Sequence, residues 1–231
     1  MRAVITAWRA TVSFYNELLF SMVLCLMWWA TGGIFAGLAI FVGYALLASG
    51  LRSPFWLAPL IAIPAGPANV ALANAARQVA RDRHVDRGFF WDGFRTHWRR
   101  ALALYAVAMA IMALLLLNIQ FYASQGAGLL QALAILWAYL AVLWCAAMLC
   151  LPAVLASLKG PTLTGALRTV ALLAFANPLY GLVLVLLALL LTALCIVLVI
   201  PLPLAWPFLM ALLGEHALML LVERAGKKGA R

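Results

Sequence analysis

Four stretches of this chain contain no Asp, Glu, Lys or Arg: residues 18–51, 53–76, 101–158 and 169–214. A helix needs roughly 20 apolar residues to cross the hydrocarbon core of a bilayer. By length, these stretches hold one, one, two and nearly two spans. A water-soluble domain needs charge spread over its surface, and this chain is 68% hydrophobic and only 10% charged. Soluble globular folds are excluded on that ground. The first apolar run is roughly 30 residues long, well beyond the ~7–15 of a signal-peptide core, and reads as a retained span.

The expected fold is an all-α polytopic membrane helix bundle, one integral membrane domain over 1–231. It has about six transmembrane helices, at about 16–47, 54–77, 101–119, 128–151, 178–200 and 204–222. Thr31-Gly32-Gly33 predicts a bend or an unwound turn in the first span. Ser53-Pro54 and Asn177-Pro178 each read as a cap followed by proline at the first helical position. Pro152 is expected near the end of span four, and Lys159-Gly160-Pro161 breaks the chain after it.

Orientation follows from the loops. With the N-terminus inside, the cytoplasmic segments hold 15 of the 16 Lys and Arg residues, and only Arg52 lies outside. Both termini are therefore expected on the cytoplasmic side of an inner (cytoplasmic) membrane. The net charge of +10 sits between apolar spans, which points to a lipid bilayer as partner and not to nucleic acid.

Three cytoplasmic segments, at about 2–15, 87–100 and 162–176, read as short amphipathic helices feeding into spans. Their apolar stripes are Ile5, Trp8, Val12 and Tyr15; then Trp91, Phe94 and Trp98; then Leu163, Leu167 and Val170, with arginines off each stripe. Trp91, Phe94 and Trp98 form the candidate interfacial face. Such stripes lie in the headgroup plane or pack on the cytoplasmic end of the bundle, and both readings stand.

The chain carries no P-loop, no dinucleotide glycine fingerprint, no HExxH and no Gly-x-Ser-x-Gly elbow. Neither an enzyme nor a cofactor is expected. Cys25, Cys145, Cys150 and Cys195 fall inside spans without metal-ligand spacing and read as small hydrophobes. Asp82, His84 and Asp86 alternate in a basic loop whose arginines oppose a bound cation, so no metal site is expected.

Two intramembrane features are less bland. In Pro64-Ala65-Gly66-Pro67-Ala68-Asn69, two prolines three apart break the helix, and a new segment is expected to start at Pro67. Glu215-His216 lies within span six, and an ionisable residue in a span is costly to bury. Pro67 precedes Arg77 by ten residues and Glu215 precedes Arg224 by nine, so both sit roughly 14–15 Å from the cytoplasmic boundary at ~1.5 Å per residue. Gly66, Pro67, Asn69, Asn74, Glu215 and His216 are therefore the candidate intramembrane polar site, with Glu215 expected to face the N–H groups of 66–69. The alternative is a simple kink, with Glu215 protonated or facing a polar crevice.

The run Gly66-Pro67-Ala68-Asn69-Val70-Ala71-Leu72, then Ala76-Arg77, Arg81-Asp82, Phe89-Phe90-Trp91, Phe94-Arg95 and Trp98-Arg99-Arg100-Ala101-Leu102, resembles the bacterial YesL-like membrane family. Gly165-Ala166-Leu167 and Phe175-Ala176-Asn177-Pro178 look like that family's second half. The resemblance covers about 16–221, with a longer first span and outer turn (28–56) and His97 where an asparagine is expected. Such proteins are similar to ones encoded beside sugar ABC importers and polysaccharide-degrading enzymes. The resemblance implies a non-catalytic accessory protein of carbohydrate uptake or utilisation, contacting ABC-type transporter subunits. It carries over no catalytic or binding residue, and it leaves oligomeric state open. The residues themselves support an alternative: a small secondary transporter or channel, using the span-two break and Glu215.

Overall fold

The structure, a computed structural model, describes residues 18–50, 54–81, 88–125, 128–157, 163–198 and 204–229. The first amphipathic segment, at about 2–15, lies outside them, as do Asp82, His84, Asp86 and Lys159. Every regular element among the described residues is helical.

Helix α1 (Leu18–Trp28) passes through a π-helical turn (Trp29–Gly33) into α2 (Ile34–Ala48). The expected bend at Thr31-Gly32-Gly33 is thus one widened turn. Gly32 is what lets it pack: a Cβ there would stand 2.6 Å from the Ala68 Cβ and 3.0 Å from the Ala65 Cα. Span two is assembled from pieces. A 3-10 turn (Phe55–Leu57), a single turn α3 (Ala58–Ile61) and a second 3-10 turn (Ile63–Ala65) lead into α4 (Gly66–Val79). Prolines 59, 64 and 67 each remove a backbone donor, which explains the fragmentation. Helix α4 has no side-chain cap and carries proline in its first turn. It starts within a residue of the expected position.

Two boundaries differ from expectation. The predicted interfacial helix 87–100 and span 101–119 are one helix, α5 (Gly88–Ala123). Nothing between Gly93 and Ala101 breaks a helix, and Arg95, Arg99, Arg100 and Ala101 are good helix formers. Helix α6 (Gly128–Ser157) continues past Pro152, beyond the expected end of the span at about 151. One missing N–H is tolerated where neighbouring helices hold the backbone.

Helices α7 (Leu163–Ala176) and α8 (Pro178–Leu198) separate at Asn177, as the cap-and-proline pair predicts. The last helix, α9 (Trp206–Gly229), has an apolar part of only Trp206–Leu220. Among the described residues, five helical segments are long and apolar enough to cross a bilayer by length and composition, and this sixth is shorter.

Helix α4 is the hub, packed against α1, α5, α6 and α9. Its alanines 68, 71, 75 and 76 are fully buried, and their small size lets four helices approach. Gly214 does the same on α9, where a Cβ would run into the carbonyl oxygen of Leu149 on α6. The outer surface is apolar: Ile40, Phe41 and Tyr44 on α2 and Leu179, Leu189 and Val197 on α8 are all more than 60% exposed. An apolar exterior around a packed helical interior is the architecture of a multi-pass membrane protein.

Candidate functional site

The polar residues of the bundle gather along α4 and its neighbours. At its start, Gly66 and Pro67 are buried, and the Tyr105 ring of α5 lies where a Gly66 Cβ would stand. One turn on, Asn69 Oδ1 accepts a 2.7 Å hydrogen bond from Trp28 Nε1 on α1. The Asn69 side chain also hydrogen-bonds with Tyr105. Asn74 Nδ2 donates to the Phe89 carbonyl at 2.8 Å, fixing the start of α5.

At the end of α4, Arg77 Nη1 donates to the Ala156 carbonyl on α6 at 2.8 Å. Its Nε lies 3.9 Å from Glu215 Oε1 on α9. That contact is an ion pair, too long for a hydrogen bond. The Glu215 side chain is 2% exposed and that of Arg77 20%. Glu215 Oε2 is buried and no hydrogen bond reaches it. His216, beside it, is also buried.

The six candidate residues are therefore divided. Gly66, Pro67 and Asn69 stand with Trp28 and Tyr105 at one end of α4. Glu215 pairs with Arg77 at the other end, about 15 Å along the helix at 1.5 Å per residue. The charge-assisted hydrogen bond expected between Glu215 and the N–H groups of 66–69 is not made: the carboxylate answers to a guanidinium instead, because a full charge attracts it more than a helix terminus does. Arg77 is not a boundary residue facing water: its side chain turns into the bundle toward Ala156 and Glu215. Arg77 was legible as a partner in one respect, being the one charge at the end of an otherwise small, apolar helix.

The aromatic stripe is placed on the N-terminal third of α5. Trp91 and Trp98 are 42% and 45% exposed, while Phe90 and Gly93 are the buried positions that dock this part of α5 on the bundle. The Arg99 guanidinium lies 5.2 Å from the Trp98 ring centroid. An exposed indole covered by a cation suits a membrane boundary.

Sequence reasoning also missed a cavity of about 520 Å³. Its walls come from α4, α5, α6, α8 and α9, with Ile40 of α2 at its edge. It is lined mainly by apolar side chains, including Met109, Met112, Met148 and Met210. No periodicity announces such a space, because it lies between helices and not on one.

No cluster of three or more His, Cys, Asp or Glu residues suited to a metal occurs among the described residues. Residues 21–119, under half of the chain, match the model of a family described as a protein of unknown function, DUF624. That region runs from α1 to near the end of α5, so it includes Asn69, Asn74 and Arg77 and leaves Glu215 outside. No curated protein and no solved structure matches the chain.

Proposed function

We propose that this chain is a non-catalytic accessory protein of the bacterial inner membrane, acting in carbohydrate uptake or utilisation through contacts with ABC-type transporter subunits. The observation that carries the non-catalytic reading is where the intramembrane polar groups are spent. Trp28 to Asn69, Trp144 to the Ala108 carbonyl, Arg77 to the Ala156 carbonyl and Trp206 to Thr192 each tie one helix to another. A solute pathway keeps such groups facing a wet lumen, whereas a scaffold uses them to hold helices together. The carbohydrate setting rests on the resemblance of the Gly66–Leu72 run and the aromatic-basic stretch after it.

A second reading, a small transporter, is favoured by one observation: Glu215 Oε2 is buried with no hydrogen bond. Affinity-tagged chain isolated in mild detergent should retain sugar-importer permease subunits. Purified chain in proteoliposomes should show no solute flux sensitive to a protonophore. Flux without co-purified subunits would replace the accessory role with transport.

A further inference from the structure

We propose that the central cavity is a binding site for one acyl chain of a bilayer phospholipid, entered sideways from the membrane. The inference goes beyond the accessory role and does not rest on it.

Three observations carry it. The first is size. An engineered apolar cavity of about 150 Å³ holds a six-carbon ring, and at that scale a cavity of 520 Å³ takes a chain of up to about twenty carbons. The second is chemistry. The polar groups on the wall are already engaged: Asn69 with Trp28 and Tyr105, and Trp206 Nε1 with Thr192 Oγ1 at 2.8 Å, whose hydroxyl in turn donates to the Ala188 carbonyl at 2.7 Å. What is left facing the cavity is mainly alkyl, aromatic and sulfur surface. Four methionines supply it from three helices, and their flexible side chains adapt to an irregular apolar guest. A sugar would find few free donors or acceptors there, and a hydrocarbon chain needs none.

The third observation is the entrance. Ile40 on α2 and Leu189 on α8 both line the cavity and are 67% and 61% exposed. Helices α2 and α8 make no extended contact with each other. Leu189 lies near the middle of α8 and Ile40 in the second half of the first span, short of its end, so the gap between them opens within the bilayer, where the surrounding solvent is acyl chain. A lipid tail therefore reaches the cavity without leaving hydrocarbon, and its headgroup stays at the interface.

The test uses the full chain in vesicles of palmitoyl-oleoyl phosphatidylethanolamine and phosphatidylglycerol, doped with a phosphatidylcholine carrying a diazirine midway along one acyl chain. After irradiation, digestion and mass spectrometry, cross-links should concentrate on Met109, Met112, Met148 and Met210. They should exceed by several-fold those on the outward-facing Ile135 and Leu190. Met148→Trp on α6 and Ala211→Trp on α9 fill the cavity from two of its walls, and each should remove the internal label while Ile135→Trp keeps it. Equal labelling inside and outside in the unaltered protein overturns the proposal, whether or not the filled variants fold. So does internal labelling that survives both filling substitutions.

Discussion

Glu215 is a carboxylate at 2% exposure with one ion pair at 3.9 Å and one oxygen that no hydrogen bond reaches. Such a group depends on its cation more than the cation depends on it. Arg77 is partly exposed and has the Ala156 carbonyl as a second partner. The two single deletions are therefore unequal. Arg77→Met leaves a buried charge uncompensated and should destabilise the bundle toward the low end of about 3–5 kcal/mol, because a fifth of the arginine is already solvated. Glu215→Gln keeps an acceptor toward Arg77 and should cost about 1 kcal/mol. The double substitution Arg77→Met with Glu215→Leu removes both charges and should be more stable than Arg77→Met alone, though still short of the parent because the bond to Ala156 is lost. Thermal unfolding in detergent measures all three. A double variant no better than Arg77→Met would mean that charge compensation is not what the pair contributes.

At the scale of elements, continuity of α5 is the sharpest departure from expectation. Its 36 residues reach about 54 Å, against a hydrocarbon core of about 30 Å, so its first turns stand outside the core while still helical. Spin labels at Asp92 and Leu117, both exposed, should lie about 37 Å apart along a continuous helix. A helix folded flat onto the surface at Arg100 would shorten this to about 28 Å, and double electron–electron resonance separates the two. The contrast explains what was legible. Breaks written in proline and glycine were readable, as at Pro64-Ala65-Gly66-Pro67 and Asn177-Pro178, because they act through local backbone sterics. The change from aromatic-basic to apolar at Ala101 suggested two elements where there is one helix, because it alters the surroundings of the helix and not its backbone. Pro152 misled in the opposite sense, since packing around α6 overrides a local preference. The candidate site was half legible. The polar residues could be named, but Asn69 pairs with Trp28 and Glu215 with Arg77 across 41 and 138 positions, and no spacing rule reaches that far.

At the scale of the whole molecule, topology turns on α9. Its apolar part, Trp206–Leu220, is 15 residues, about 22 Å long, whereas five other segments among the described residues are long enough to cross unaided. With five crossings the two ends of the chain fall on opposite faces; with six they share one. The packing favours six. Gly214 draws α9 against Leu149 of α6, and Phe208, Leu212, Leu213 and Ala217 are fully buried, so the helix runs through the bundle instead of lying on it. Protein neighbours on most sides relax the length requirement, since the short apolar stretch meets helices where a lone span would meet lipid. Charge argues the same way. Arg224, Lys227, Lys228 and Arg231 follow the apolar part, and placing them inside leaves Arg52 as the one basic residue outside. Alkaline phosphatase and green fluorescent protein fusions should therefore both report cytoplasm after Lys159 and after Arg224. Phosphatase activity after Arg224 with fluorescence after Lys159 would make α9 a re-entrant or surface helix. The Arg77–Glu215 pair would then have to be explained without a crossing, and the buried face of α9 would lose its reason.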